Sequence, residues 1–253
     1  MMRTIGLLAW RDLLRFGRQR GRLLGAVVAP VVILVFFGAA AESMMRAGDV
    51  YRKFLLAGML VQAMIFSANT SASSLIWDRE FGFLKVLTLA PVPPSWVALG
   101  KVAGSALQAL AHGLVFLLAA PLVGVWLSPL ELFGAVGVVA LIAVALSALA
   151  LTVASRTRTY EDFNTLMLLL SIPMLFVSGV HFPVMEFPPW LRTLARLNPA
   201  TYGIDALKHL FVPATSAGRW VPDFPLGLDL GVLVGFAALC LGVAVLRLRL
   251  REE

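Results

Sequence analysis

Long runs of apolar residues dominate this chain and determine its fold class. Six stretches are almost free of charge, namely 23–41, 54–76, 102–126, 132–154, 163–182 and 226–246. A helix needs about 20 apolar residues to cross the hydrocarbon core of a bilayer, and only helices or closed barrels satisfy every backbone polar group there. These runs lack the alternation of barrel strands. The pattern therefore predicts an all-α polytopic membrane protein, with six transmembrane helices in a single transmembrane domain over residues 1–253.

The composition agrees, and the distribution of charge predicts the orientation. Hydrophobic residues make up 60% of the chain and charged residues 14%, which is unlike a soluble domain. Fourteen of the 21 Lys and Arg residues lie in segments on the same side as the N-terminus, namely 1–22, 77–101, 155–162 and 247–253. Because cytoplasmic loops carry the excess of Lys and Arg, we expect both termini in the cytoplasm. The net charge of +7 is a topology signal, and no nucleic acid is expected as a partner.

Residues 1–22 form a basic, amphipathic segment before the first span. Basic side chains recur at intervals of four, three and four residues, with an aromatic ring at their flank: Arg11, Arg15, Arg18, Arg22 and Trp10. On a helix they form one stripe opposite an apolar face, as in helices that lie in the membrane interface against lipid headgroups. The alternative is a solvated basic tail without fixed structure. The opposed faces favour the interfacial helix.

A short cytoplasmic segment follows the second apolar run. It opens with charges, continues as an apolar run that suits a helix, and stops at the prolines 91, 93 and 94 because proline ends a helix. Its candidate residues are Arg79, Glu80, Phe81, Gly82, Phe83, Leu84, Lys85 and Leu87. Apolar side chains exposed on such a helix suit a groove on a partner protein. The alternative is a helix that rests on lipid.

The remaining segments complete the domain. Residues 23–182 hold spans one to five, 226–246 form span six, and 247–253 form a cytoplasmic tail. Residues 183–225 lie between the last two spans on the extracytoplasmic side and are too long for a plain connector. Their pattern predicts two short helices, at 190–197 and 202–211, which dip back into the membrane as re-entrant helices.

Polar residues inside the predicted spans are the candidates for a substrate path. They are Gln62, Asn69 and Ser73, which fall near one face of span two, and Gln108 and His112, which are spaced i, i+4 in span three. Intramembrane polar groups face protein or water rather than lipid. They either line a path or form hydrogen bonds between helices, and the sequence leaves both interpretations open.

Catalytic and metal sites are not expected. His112, His181 and His209 are not assigned as metal ligands, and the pair Gly100-Lys101 lacks the other residues of a phosphate loop. Asp229 is placed at headgroup depth beside a glycine stripe that predicts close helix packing, at 227, 231 and 235. The absence of a carboxylate in mid-span argues against proton-coupled transport. If transport uses ATP, another polypeptide hydrolyses it.

Two motifs and the basic first helix together resemble a known family. The first motif runs from Asp78-Arg79-Glu80 through Gly82 and Leu84 to Ala90-Pro91-Val92 and Gly100-Lys101. The second contains Ser178, Gly179, Phe182, Pro183, Trp190, Asn198, Pro199 and Tyr202. Over essentially its full length the chain resembles the permease subunits of type-2 ATP-binding-cassette exporters, the group that holds daunorubicin-resistance and Nod-factor export permeases.

This resemblance implies a transport subunit rather than an enzyme. It implies two permease subunits, here expected as a homodimer, and two ATPase subunits that bind ATP and Mg²⁺, so that this chain holds no cofactor. The segment 81–90 would be the coupling helix and the second motif an extracellular gate. The location would be the cytoplasmic membrane of a bacterium or archaeon, and the substrate drug-like, a lipid or a lipid-linked glycan. The alternatives are an energy-independent channel or a membrane scaffold.

Overall fold

The structure is a computed structural model and describes residues 48–80, 94–212 and 220–249, with a few positions between 28 and 36. Seven α-helices lie in the three long segments, and none of the described residues forms a strand. The helices are α1 (Gly48–Glu80), α2 (Pro94–Ala119), α3 (Pro129–Arg156), α4 (Tyr160–Val177), α5 (Pro189–Leu197), α6 (Pro199–Phe211) and α7 (Leu226–Arg249). The all-α fold class is confirmed for this part of the chain.

Five helices are long and apolar enough to cross a membrane, namely α1, α2, α3, α4 and α7. They correspond to the predicted spans two to six. The predicted first span is described only at a few helical positions between 28 and 36. The predicted interfacial helix, with Trp10, Arg11, Arg15, Arg18 and Arg22, lies outside the described residues. The total of six spans therefore stays a prediction.

Two spans end earlier than the apolar pattern predicts. The third predicted span runs to 126, but α2 ends at Ala119, where a 3-10 turn with a proline begins and leads to Gly124 at a φ of 76°. The fifth predicted span runs to 182, but α4 ends at Val177, just before Gly179 at a φ of 85°. Glycine adopts these left-handed conformations without steric cost. Both turns are themselves apolar, so hydropathy alone extends the helix through them.

Polar caps fix where α3 and α4 begin. The Ser128 side chain accepts a hydrogen bond from the Glu131 backbone N–H, and the Glu131 carboxylate accepts one from Ser128 N–H at 2.6 Å. This capping box satisfies two of the donors that the first turn leaves open. At the start of α4, Thr159 Oγ1 accepts from Asp162 N–H at 3.1 Å.

α1 is the central helix of the bundle. It packs against α2, α3, α4 and α6, and most of its side chains are buried, including Phe54, Leu60 and Met64, whereas Phe66 and Trp77 are exposed. α7 packs against α3, α6 and α2. α4 is mostly exposed, and Leu169 and Phe176 on its outward face contact little of the described chain. The outer face of α4 is thus available to lipid or to another chain.

The segment between the last two spans folds as the two predicted short helices, α5 and α6. α5 lies at the surface, with Trp190 and Leu197 exposed. α6 is different, since eleven of its 13 residues are buried and it packs against α1, α3 and α7. The helical prediction is confirmed, whereas the extracytoplasmic location and the re-entrant depth stay predictions. α6 is therefore part of the core rather than a surface cap.

Candidate functional site

Gln108 and His112, two of the predicted path residues, are directed at α1. Ser67 Oγ lies 2.7 Å from His112 Nδ1, and Ser71 Oγ donates to Gln108 Oε1 at 2.7 Å. All four side chains are buried, and each pair is spaced i, i+4 on its own helix, so two successive turns of α1 and α2 are joined. Hydrogen bonds of this kind stabilise helix pairs in membranes by about 0.6 kcal/mol each. The structure thus shows interhelical hydrogen bonds at these two positions.

A small cavity with a mixed polar and apolar lining lies instead between α1 and α4. Asn69 Nδ2 donates to Ser171 Oγ at 2.9 Å, and Ser73 Oγ donates to the Thr70 carbonyl at 2.8 Å. The cavity holds about 90 Å³ and is lined by Phe66, Asn69, Thr70, Ser73, Tyr160, Phe163, Asn164, Met167 and Leu168. Gln62 does not line it, and the buried Oε1 of Gln62 has no hydrogen-bond partner among the described residues. The five predicted path residues therefore do not share one surface.

A buried ion pair joins α1 to α2 beside the predicted coupling segment. Lys101 Nζ donates to Asp78 Oδ2 and lies 3.3 Å from Ser74 Oγ. The side chains of Lys101 and Asp78 are 1% and 7% exposed. We call this contact the α1–α2 ion pair. Both residues belong to the first sequence motif, but the motif gave no sign that they touch, because they are 23 residues apart.

The predicted coupling residues lie between Asp78 and Lys101 in the sequence. Arg79 and Glu80 form the end of α1, while Phe81, Gly82, Phe83, Leu84, Lys85 and Leu87 lie outside the described residues. The segment that contains them starts and ends at helices which the α1–α2 ion pair holds together. Its role as a coupling helix stays a prediction.

Asn198 joins three helices in the predicted gate. Its Oδ1 accepts from Ala200 N–H at 3.0 Å and caps α6, where Pro199 occupies the first turn. Its Nδ2 donates to the Met174 carbonyl of α4 at 2.7 Å. Tyr202 O–H then donates to the Arg196 carbonyl at 2.6 Å and closes the bend between α5 and α6. These motif residues fix the angle between the helices.

Ser178 and Gly179 end α4 and shape the turn after it. Ser178 Oγ donates to the Leu175 carbonyl at 2.8 Å. A Cβ atom at Gly179 would lie 2.8 Å from Val184 Cγ2, so both space and the positive φ require glycine. This turn also lies against α1, because a Cβ atom at Gly58 would be 2.5 Å from the Val180 carbonyl oxygen.

The other gate residues are exposed or begin a turn. Pro183 precedes the 3-10 turn Val184–Glu186, and Phe182 and Trp190 are 54% and 66% exposed. Nearby, an apolar groove of about 370 Å³ runs between α4, α5 and α7 and is lined by residues such as Pro173, Leu194 and Phe236. The predicted gate therefore combines a rigid frame with exposed apolar side chains.

A buried charge cluster on α6 was not predicted from the sequence. Lys208 Nζ donates to Asp205 Oδ1 at 3.2 Å and to Asp223 Oδ2 at 2.8 Å, and it lies 5.0 Å from the centre of the Phe54 ring. Asp205 also accepts from the backbone N–H groups of Asp223 and Phe224 at 2.8–3.0 Å. Burial raises the pKa of Asp205, although Lys208 and these N–H groups act in the opposite direction.

Asp229 lies beside this cluster and is buried in the protein, while its predicted headgroup depth stays a prediction. Its side chain is 0% exposed, and its Oδ2 lies 3.6 Å from His209 Nε2. Ligand atoms of Asp205, His209 and Asp229 all lie within 4.8 Å of one another. The i, i+4 spacing of Asp205 and His209 on α6 is a local signal that was available in the sequence.

The glycine stripe beside Asp229 packs against none of the described helices, and its role in close helix packing stays a prediction. A Cβ atom at Gly227, Gly231 or Gly235 would meet nothing within 4 Å. The stripe therefore makes no close contact with the described helices of this chain. The regular spacing was sufficient to predict a face of α7 but not what lies against it.

Known proteins resemble this chain along most of its length. A family model described as ABC-2 type transporter matches residues 3–212. The putative transport permease ycf38 of Porphyra purpurea is 27% identical over 221 residues, which cover 83% of this chain and 75% of that protein. The inner membrane transport permease YadH of Escherichia coli K12 is 25% identical over 222 residues, covering 85% and 82%. Nodulation protein J of Sinorhizobium fredii is 29% identical over 205 residues, covering 78% and 76%.

Proposed function

Since the chain belongs to the ABC-2 type transporter family, we propose that it is the permease subunit of an ATP-driven exporter whose ATPase is a separate protein. The observation that carries the proposal is the family match over residues 3–212, which spans the described bundle from α1 to α6. Its relatives are transport permeases. ATP and Mg²⁺ would be bound by two ATPase subunits, one for each permease.

Coupling would pass through the segment 79–90 and the α1–α2 ion pair. ATP binding would close the two ATPase subunits and displace this segment. Because Asp78 and Lys101 hold α1 and α2 together on either side of it, the displacement would move both helices as one unit. α1 contacts α2, α3, α4 and α6, so its movement would reorient the bundle in the manner of a rigid-body switch.

The substrate path would lie at the exposed face of α4. The cavity lined by Asn69 and Ser73 lies between α1 and α4, and a second copy of the chain against α4 would enclose it. The apolar groove that includes Pro173 and Leu194 would hold the acyl or ring portion of a substrate. A cavity of mixed lining and an apolar groove, both bordered by α4, suit an amphipathic molecule, such as a drug-like compound, a lipid or a lipid-linked glycan.

The proposed location is the cytoplasmic membrane of a bacterium or archaeon, with both termini in the cytoplasm and with outward transport. The charge bias of the loops supports the orientation, and one relative is an inner membrane permease. In this orientation α5 and α6 lie toward the outer surface, where Phe182 and Trp190 would close the exit of the path.

Charged substitutions in the coupling segment test the proposal. The double variant Phe81→Glu with Leu84→Glu would lose ATPase binding, because the apolar anchor becomes negatively charged. Binding of the co-expressed ATPase is measured by co-purification. Transport is measured separately, as the ATP-driven movement of a fluorescent amphiphile in proteoliposomes. The control is Leu130→Glu, at an apolar residue that is 81% exposed at the start of α3, and it would retain both.

Two results would overturn the proposal. The first is a double variant that binds the ATPase and transports like the unmodified chain, which would reject the coupling segment. The second is equal transport by liposomes that contain this chain alone, which would indicate an energy-independent channel.

A further inference from the structure

We propose that Asp205, His209 and Asp229 form a divalent transition-metal site between α6 and α7. One ligand atom from each residue lies within 4.8 Å of the other two. The two α6 ligands are one helical turn apart, and the third comes from the first turn of α7. The inference does not depend on transport, because it concerns the binding of an ion by the permease itself.

The environment of the Asp229 side chain is the observation that points to a bound cation. Its side chain is 0% exposed, and neither of its carboxylate oxygens has a hydrogen-bond partner among the described residues. Oδ2 is directed at the His209 ring, 3.6 Å from Nε2. An ionised carboxylate that is removed from water is strongly unfavourable unless it is paired or coordinates a metal. A cation at this position would therefore stabilise the ionised form of the Asp229 carboxylate.

The neighbouring lysine is committed to other groups. Lys208 Nζ donates to Asp205 and Asp223 at 3.2 and 2.8 Å. Three buried carboxylates thus lie near one ammonium group, and the described ion pairs give Asp229 no partner except the His209 ring. A divalent cation between Asp205, His209 and Asp229 would restore the balance of charge.

The ligand types indicate the class of ion. One imidazole nitrogen and two carboxylate oxygens suit Zn²⁺ or Mn²⁺, whereas Mg²⁺ and Ca²⁺ prefer oxygen ligands alone. The Asp205 carboxylate is oriented by the backbone N–H groups of Asp223 and Phe224, as metal-binding carboxylates are by their outer shell. The Phe224 carbonyl, 2.8 Å from His209 Nε2, adds an oxygen to the same space.

Binding requires small, specific changes at His209. Nε2 must exchange its contact with the Phe224 carbonyl for the ion, with the ring proton on Nδ1. The ligand atoms must approach one another by about 1 Å to reach bond lengths of about 2.1 Å. The His209 side chain is 27% exposed, so its ring can move and an ion can enter beside it. The bound ion would fasten α7 to α6 at this end of the bundle.

Zinc binding by the purified full-length chain in nanodiscs tests the site. After dialysis against Zn²⁺, we expect about one Zn²⁺ per chain by elemental analysis. At free Zn²⁺ about 100 times its Kd, linkage predicts a rise in Tm of about 5–10 °C, which EDTA reverses. Mn²⁺ should act in the same direction and Mg²⁺ should have little effect. No bound Zn²⁺ or Mn²⁺ and no change in Tm would overturn the proposal.

Variants assign the binding to these side chains. Asp229→Asn removes a buried charge without changing its shape, so it should fold with a Tm at or above that of the unmodified chain and lose the bound Zn²⁺. His209→Gln should lose at least tenfold in Zn²⁺ affinity. His181→Gln is the matched control, since His181 lies outside the cluster, and it should bind Zn²⁺ normally. If Asp229→Asn and His209→Gln both still bound Zn²⁺, the ion would lie elsewhere and the proposed site would be rejected.

Discussion

Replacing Lys101 with methionine should destabilise the permease more than any ordinary surface substitution. Methionine keeps most of the length of the lysine side chain but removes the ammonium group that contacts Asp78 and Ser74. The carboxylate of Asp78 would then remain buried without the Lys101 ammonium group. The predicted loss of stability comes from that carboxylate rather than from lost packing.

The burial of the α1–α2 ion pair sets the magnitude. The side chains of Lys101 and Asp78 are 1% and 7% exposed, so water and salt screen them poorly. Removal of one partner from a buried pair costs about 3–5 kcal/mol, whereas replacement of both partners is often neutral. We expect a loss of about 3 kcal/mol for Lys101→Met, which corresponds to a fall in Tm of about 6–12 °C.

A double-mutant cycle in nanodiscs measures the pair. Lys101→Met and Asp78→Asn are compared with the double variant by thermal unfolding, and the double variant should recover most of the stability lost in Lys101→Met. ATP-driven transport provides a second measurement, because the double variant folds but lacks the α1–α2 ion pair and should transport less. The reasoning would be refuted if Lys101→Met lowered the Tm by less than about 2 °C. It would also be refuted if the stability losses of the two single variants simply added in the double variant.

Two further predictions concern positions where the packing is tight or where a cap is present. Gly58→Ala places a Cβ atom 2.5 Å from the Val180 carbonyl oxygen and should lower the Tm, whereas Gly231→Ala meets nothing within 4 Å and should leave it unchanged or raise it slightly. An equal Tm for the two variants would contradict the close approach of α1 to the turn after α4. Asn198→Ala removes both the cap of α6 and the bond to α4, and should cost about 2 kcal/mol in thermal unfolding. Thr193→Ala removes only an exposed hydrogen bond within α5 and should cost less than about 0.5 kcal/mol; equal losses would reject the role of Asn198.

The membrane helices could be predicted from the sequence because every span needs about 20 apolar residues of helix to cross the lipid. α3 and α7 follow the apolar runs closely, and α1 contains its run and extends beyond it at both ends. The ends of α2 and α4 could not be predicted, since they depend on the left-handed backbone at Gly124 and Gly179 and not on hydropathy. The two short helices α5 and α6 were predicted from amphipathic spacing and prolines.

The contacts within the candidate site were harder to predict. Asp78 and Lys101 were recognised as motif residues, but their contact joins two helices and has no local signature. Asp205, Lys208 and Asp223 were not singled out in the sequence, because hydropathy cannot show that α1, α3 and α7 enclose α6. The polar residues inside the spans could be identified, but their role could not be assigned. The same residue types form hydrogen bonds between helices and line a substrate path.

The most direct test of the central claim is chemical labelling of residue 84. Cys240 is the only cysteine of the chain and is buried, so Leu84→Cys can be made in a Cys240→Ala background. We predict that a membrane-impermeant maleimide labels residue 84 in inverted vesicles but not in intact cells. Binding of the ATPase should block the labelling. Labelling of residue 84 from outside intact cells would contradict the claim that an ATPase drives this permease through the segment after α1.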